Sequence, residues 1–197
     1  MSFNGDLILM RPNGFSISDM PFMECGDHRV AREADYTGGW KRFYIVHDDA
    51  PYIFEMEWLE ELSRKAGSPA LACHISEDSA FLSGVSKAGR WSGWITPHAA
   101  AVRLAFEITE ELPIEIFDEY GNLTDPKYFD EVSMPIEIEL EAHLPALAES
   151  LAQWTRDSEL QGDVEIFTSC LRRRDAATAD GRYFELLHLM GLSALSL

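Results

Sequence analysis

The chain has 197 residues, 46% of them hydrophobic and 25% charged, and a formal net charge of −18. That balance describes a soluble globular chain long enough to bury a core and excludes one disordered throughout. So acidic a chain lacks the broad basic footprint that phosphate contact needs, so direct nucleic-acid binding is not expected.

The first strand is predicted at Asp6–Met10, followed by turn chemistry at Arg11–Gly14, where Pro12 presets φ. Residues 19–40 show no clean period and read as loop, with one short helix near Val30–Ala34. Lys41–His47 is aromatic and β-branched and reads as a strand. Tyr52–Ala66 reads as a helix, with Ile53, Met56, Leu59 and Leu62 at helical spacing, Arg64 and Lys65 in the last turn and Gly67 as stop.

A strand at Pro69–Ser76 precedes a hairpin of Phe81–Ser86 and Arg90–Thr96, turned at Lys87–Gly89. Alternation puts Trp91 and Trp94 on opposite sides of the sheet, with Lys87 and Arg90 exposed at the tip. Trp91 is expected on the core face with Ile95, opposite Phe81 and Val85 on the paired arm. Thr96 is then expected to cap a helix starting at Pro97, with Ala101, Leu104, Ala105 and Ile108 on one face.

Residues 112–126 read as a strand with a Tyr-Gly-Asn turn, and Lys127–Val132 as a short helical turn. In Pro135–His143, Ile136, Ile138 and Leu140 alternate with Glu137, Glu139 and Glu141, which suggests a half-buried strand with an anionic outer face; a helix entering the next element fits nearly as well. Pro145 to about Arg156 is an amphipathic helix on Leu147, Leu151 and Trp154. Asp163–Leu171 reads as a late strand, and Gly181–Leu192 as a terminal helix burying Phe184, Leu187 and Met190. These elements predict one α+β domain over 1–197: a mostly antiparallel sheet with a central hairpin, packed by three to four helices.

The charge is concentrated. Residues 107–141 hold twelve acidic residues and one basic residue, and residues 47–61 hold six acidic and none basic. Together they carry −17 of the −18. Such fields either keep a surface solvated or steer a basic partner. The run Arg172-Arg173-Arg174 is expected to pair with the chain's own carboxylates.

Catalytic motifs are absent. No glycine-rich phosphate cradle, G-x-S-x-G or H-E-x-x-H occurs, and Ser86 sits on a hairpin rather than a strand-to-helix elbow. No catalytic residue, metal ligand or cofactor is therefore assigned. Cys25, Cys73 and Cys170 include no C-x-x-C pair and suit a reducing compartment. Cys73 and His74 are neighbours on a strand, so they face opposite ways and cannot form a nucleophile–base pair. The best acid–base constellation is His47-Asp48-Asp49, which with His74 or His98 could hold a metal only if the fold assembled it.

The N-terminal apolar run Leu7–Met10 is too short for a signal peptide, and no apolar stretch reaches membrane-spanning length. A cytoplasmic location with no membrane partner follows as an expectation. The expected function is a non-catalytic acidic partner-binding protein. An inhibitor or immunity protein of bacterial style, masking a basic toxin or nuclease domain, would have this character. Its expected contact set is Asp48, Asp49, Asp118, Glu119, Asp130 and Glu131. The alternative is a small metal-dependent hydrolase using His47, Asp48 and Asp49.

Overall fold

A computed structural model describes residues 5–20, 23, 28–47, 55–110, 126–174 and 178–195. Six strands, β1 (Gly5–Met10), β2 (His28–Asp35), β3 (Lys41–His47), β4 (Ala70–Ser76), β5 (Ser79–Ser86) and β6 (Gly89–Trp94), form one sheet in the order β2-β3-β1-β4-β5-β6. All five pairings are antiparallel, as an α+β fold implies. Among the described residues there are five α-helices: α1 (Met56–Ala66), α2 (Pro97–Glu110), α3 (Pro126–Asp157), α4 (Val164–Arg172) and α5 (Ala179–Leu189). The hairpin β5–β6, central in the sequence, forms one margin of the sheet.

Both faces of the sheet are buried at its centre, as β1 shows. Its six residues are all buried, because successive side chains feed different cores. Leu7 and Leu9 join Leu71, Cys73 and Leu82 beneath α3, α4 and α5, where Leu151, Trp154, Phe167 and Tyr183 are buried. Ile8 and Met10 join Phe43, Ile45 and Ala72 beneath α1, through Leu59 and Leu62. Trp154 reaches across the first core: its Nε1 donates to the Ala70 carbonyl at 3.0 Å and to the Val85 carbonyl at 3.1 Å. Its ring lies 5.5 Å from that of Trp40.

Four expectations need correction. Residues 28–35 are strand β2 rather than loop and short helix. A bulge between Val30 and Arg32 flips the alternation, so Val30 packs under α1 while Ala34 packs on the opposite core. Residues 135–143 are helical, inside a 32-residue α3 that carries Pro135 and Pro145 in its interior. Residues 164–172 are helix α4, not a strand: the Asp163 carboxylate accepts from the Glu165 and Ile166 N–H groups, and Phe167, Cys170 and Leu171 form the buried stripe. In α5, Leu187 and Met190 are buried as expected, but Phe184 is 37% exposed and lies under the Arg42 guanidinium, while Tyr183 and Leu186 take the core.

The hairpin keeps its expected faces with a corrected register. Trp91 packs on the core face shared with Ile95, but opposite Gly84 rather than opposite Phe81 and Val85. The indole lies so close to Gly84 that a Cβ there would sit 2.3 Å from it. Trp94 pairs with Phe81 on the other face, their rings 5.0 Å apart. The Thr96 hydroxyl accepts from the Ala80 N–H at 2.8 Å, fastening the start of α2 to β5. The predicted strand and turn at 112–125 lie outside the described residues.

Candidate functional site

The second half of α3 is core. Its first half is not: from Asp130 to His143 no residue is buried. Helical geometry sorts this stretch into rows four residues apart. Asp130, Met134, Ile138 and Ala142 form one row and Glu131, Pro135, Glu139 and His143 the next, and all eight are exposed. Met134 is 57% and Ile138 63% exposed, and α2 exposes Phe106 at 42% and Ile108 at 48%. Large apolar side chains standing open among carboxylates differ from a uniformly solvated acidic face.

The helical period also redirects the glutamates. Glu137 turns inward, pairing with His98 at 3.1 Å and Arg174 at 3.0 Å, and Glu141 meets Arg174 at 2.8 Å. The expected anionic outer face of Glu137, Glu139 and Glu141 therefore reduces to Glu139, joined by Asp130 and Glu131. The arginine run is consumed as expected in part: Arg173 pairs with Glu185 at 2.7 Å and Arg174 with the two glutamates.

Of the six expected contact residues, Asp130 and Glu131 are exposed on this arm; Asp48, Asp49, Asp118 and Glu119 lie outside the described residues. Helix α1, with Glu55 at its N-cap and Glu57, Glu60 and Glu61 along it, packs on one face of the sheet through Leu59 and Leu62, and the second half of α3, from Leu144 on, packs on the other. The basic hairpin tip answers to α1: Arg90 lies 3.9 Å from Glu57 and 3.5 Å from Glu60. It also answers to the end of α3, where Asp157 accepts the Ala88 N–H at 3.1 Å. The Ser86 hydroxyl foremost, with that N–H, Gln153 and the Lys87 charge, holds the Asp157 carboxyl below its ordinary value against a smaller opposing effect of burial.

His47 ends β3 opposite His28. Among the described residues no group of three or more His, Cys, Asp or Glu is placed to hold a metal. Register does create one pair that spacing could not reveal: Asp6 and His74 are direct cross-strand partners, with Nδ1 2.9 Å from the carboxylate. Asp6 is fully buried, so a partner is obligatory. Across the next ladder His74 faces Phe81, and the dyad ties β1 to β4. Cys73, on the opposite face, is fully buried, and desolvation pushes its thiol well above the usual value.

Among the described residues no helix is long and apolar enough to cross a membrane. No family model, curated protein or solved structure matches the chain.

Proposed function

We propose that the chain is a non-catalytic partner-binding protein whose acidic arm docks a basic protein, in the manner of an inhibitor or immunity protein masking a toxin or nuclease domain. One observation carries this reading: the arm from Asp130 to His143 buries none of its residues, yet sets Met134 and Ile138 among Asp130, Glu131 and Glu139. Carboxylates of this kind steer a cationic partner and set the rate of encounter, while exposed apolar groups hold it after contact. The partner's chemistry follows from the charge: a basic surface with apolar side chains at its centre.

The test is capture of partners on the immobilised chain at low salt, followed by association kinetics for the captured protein across ionic strength. Asp130→Asn with Glu131→Gln is expected to slow association about threefold or more at low salt and to flatten its salt dependence. Ile138→Ser is expected to raise the dissociation rate and leave association unchanged. Equal association rates and equal salt slopes for wild type and the neutralised variant refute the reading.

A further inference from the structure

We propose that the margin of β6 that no other described strand pairs with, together with the flank of α3 beside it, is a groove that takes an extended segment of a basic partner as a seventh strand. The two sheet margins are built differently. Strand β2 carries the protections expected of an exposed edge, a bulge and the charges Arg29, Arg32, Glu33 and Asp35. Strand β6 has no bulge, and beyond Arg90 at the turn, which pairs with Glu57 and Glu60 of α1, it holds no charge and no proline from Trp91 to Trp94.

Which of its backbone groups are free follows from the turn. The two-residue loop Lys87–Ala88 closes on the pair Ser86 and Gly89. Gly89, Trp91 and Gly93 therefore exchange hydrogen bonds with β5, and Arg90, Ser92 and Trp94 direct their N–H and C=O groups outward. Among the described residues no other strand pairs with β6.

Beside this margin α3 supplies a wall. A cavity of about 260 Å³ lies between Ser92 and Trp94 of β6 and Leu140, His143 and Leu147 of α3. A second, of about 470 Å³, continues along Gly89, Arg90 and Trp91 to Glu149, Gln153 and Arg156; Arg90 is paired with Glu57 and Glu60, and Arg156 donates to Gln153. A strand edge with side-chain cavities along it has the form of a strand-addition site: main-chain bonds give affinity, and alternate side chains fill the cavities. The occupant's charge follows from the whole chain, at −18, rather than from the groove itself, where Arg90 and Arg156 stand beside Glu149: that overall charge attracts a basic segment and repels a second copy of the same chain. The cationic character rests on the docking reading above; the strand addition rests on the edge itself.

The experiment uses a labelled synthetic peptide of about nine residues alternating lysine and valine, long enough to span β6. Two further versions are N-methylated at every valine or at every lysine. Binding is followed by fluorescence anisotropy at low salt to wild type, Ser92→Ala and Ser92→Pro. Position 92 is informative because its N–H points away from β5, so proline removes an outward donor and spares the hairpin's own bonds. Ser92→Pro is expected to bind about tenfold or more weakly than Ser92→Ala, and one methylated version is expected to lose binding while the other retains it. The methylated peptides read the same edge on wild-type protein, whatever proline does to the fold.

Equal binding by both variants and by all three peptides overturns the strand addition and leaves the acidic docking reading standing. Failure of the parent peptide to bind overturns it as well. A wild-type dimer in sedimentation that Ser92→Pro makes monomeric assigns the edge to a second copy and overturns the proposed occupant.

Discussion

Trp154 is the side chain on which the two layers of the larger core meet, and replacing it separates packing from hydrogen bonding. The indole is fully buried, its ring tilted against that of Trp40, and its single N–H is shared by carbonyls of β4 and β5. Trp154→Ala empties a close-packed site, which costs about 3–5 kcal/mol. Trp154→Phe leaves a ring in the same place but strips the donor from two inward carbonyls, about 1–3 kcal/mol, with a small further loss of volume. A reasonable expectation is about 2–3 kcal/mol for Phe. In a chain of this length each kcal/mol moves the midpoint about 2–4 °C, so Trp154→Phe should lower Tm by about 5–10 °C and Trp154→Ala by more. Calorimetry and urea unfolding followed by circular dichroism measure both. A Phe variant as stable as wild type would show that the shared N–H contributes nothing; Phe and Ala variants of equal stability would show the same of the ring.

Two further outcomes follow from the ionisable groups. The folded Asp157 carboxyl titrates below its ordinary value of 3.8, so the stability it contributes is present above that value and is lost as pH falls through the folded one. Asp157→Asn should therefore be less stable than wild type by a constant margin from pH 5 to 7, and the margin should shrink below about pH 4; a margin unchanged at pH 3 contradicts this. Burial raises the thiols of both Cys73 and Cys170, so neither should be alkylated by iodoacetamide at pH 8 until the protein is unfolded in urea. Peptide mapping by mass spectrometry reads each site, and native labelling of Cys73 at the rate of a free thiol refutes its burial.

Where alternation or caps were intact, the sequence was legible. Lys41–His47 reads as a strand and is one, and the helix ending at Ala66 stops at Gly67, which adopts φ 62°. The failures share a form: a local signal was opposed by one unusual residue. The bulge in β2 inserts one residue and shifts every later side chain to the other face, so no period survives the scan. Pro145 looks like a helix start, yet α3 runs through it because Leu144, Leu147 and Ala148 are buried on one continuous seam. In α4 the β-branched residues Val164, Ile166 and Thr168 suggested a strand, whereas the Asp163 cap and the buried Phe167, Cys170 and Leu171 carried the decisive pattern.

The candidate site divides along the same line. Charge is a property of composition, and the acidic stretch 107–141 can be counted before any fold is known. Which carboxylates remain available depends on helix phase: as a strand, residues 135–143 would set Glu137, Glu139 and Glu141 on one face, and as a helix they send Glu137 and Glu141 to Arg174 and leave Glu139 outside. Strand register hides even more, since neither the Asp6–His74 dyad nor the place of β6 at the margin of the described sheet has any signature in spacing. The two proposed surfaces share one helix. The exposed rows of α3 run from Asp130 to His143, and Leu140 and His143 already line the cavity beside β6. A basic partner drawn to the carboxylates of the arm would thus arrive beside the β6 edge, which no other described strand pairs with. Its encounter rate would depend on charge and its residence on backbone pairing, so neutralising Asp130 and Glu131 should act on association and blocking the edge at Ser92 on dissociation.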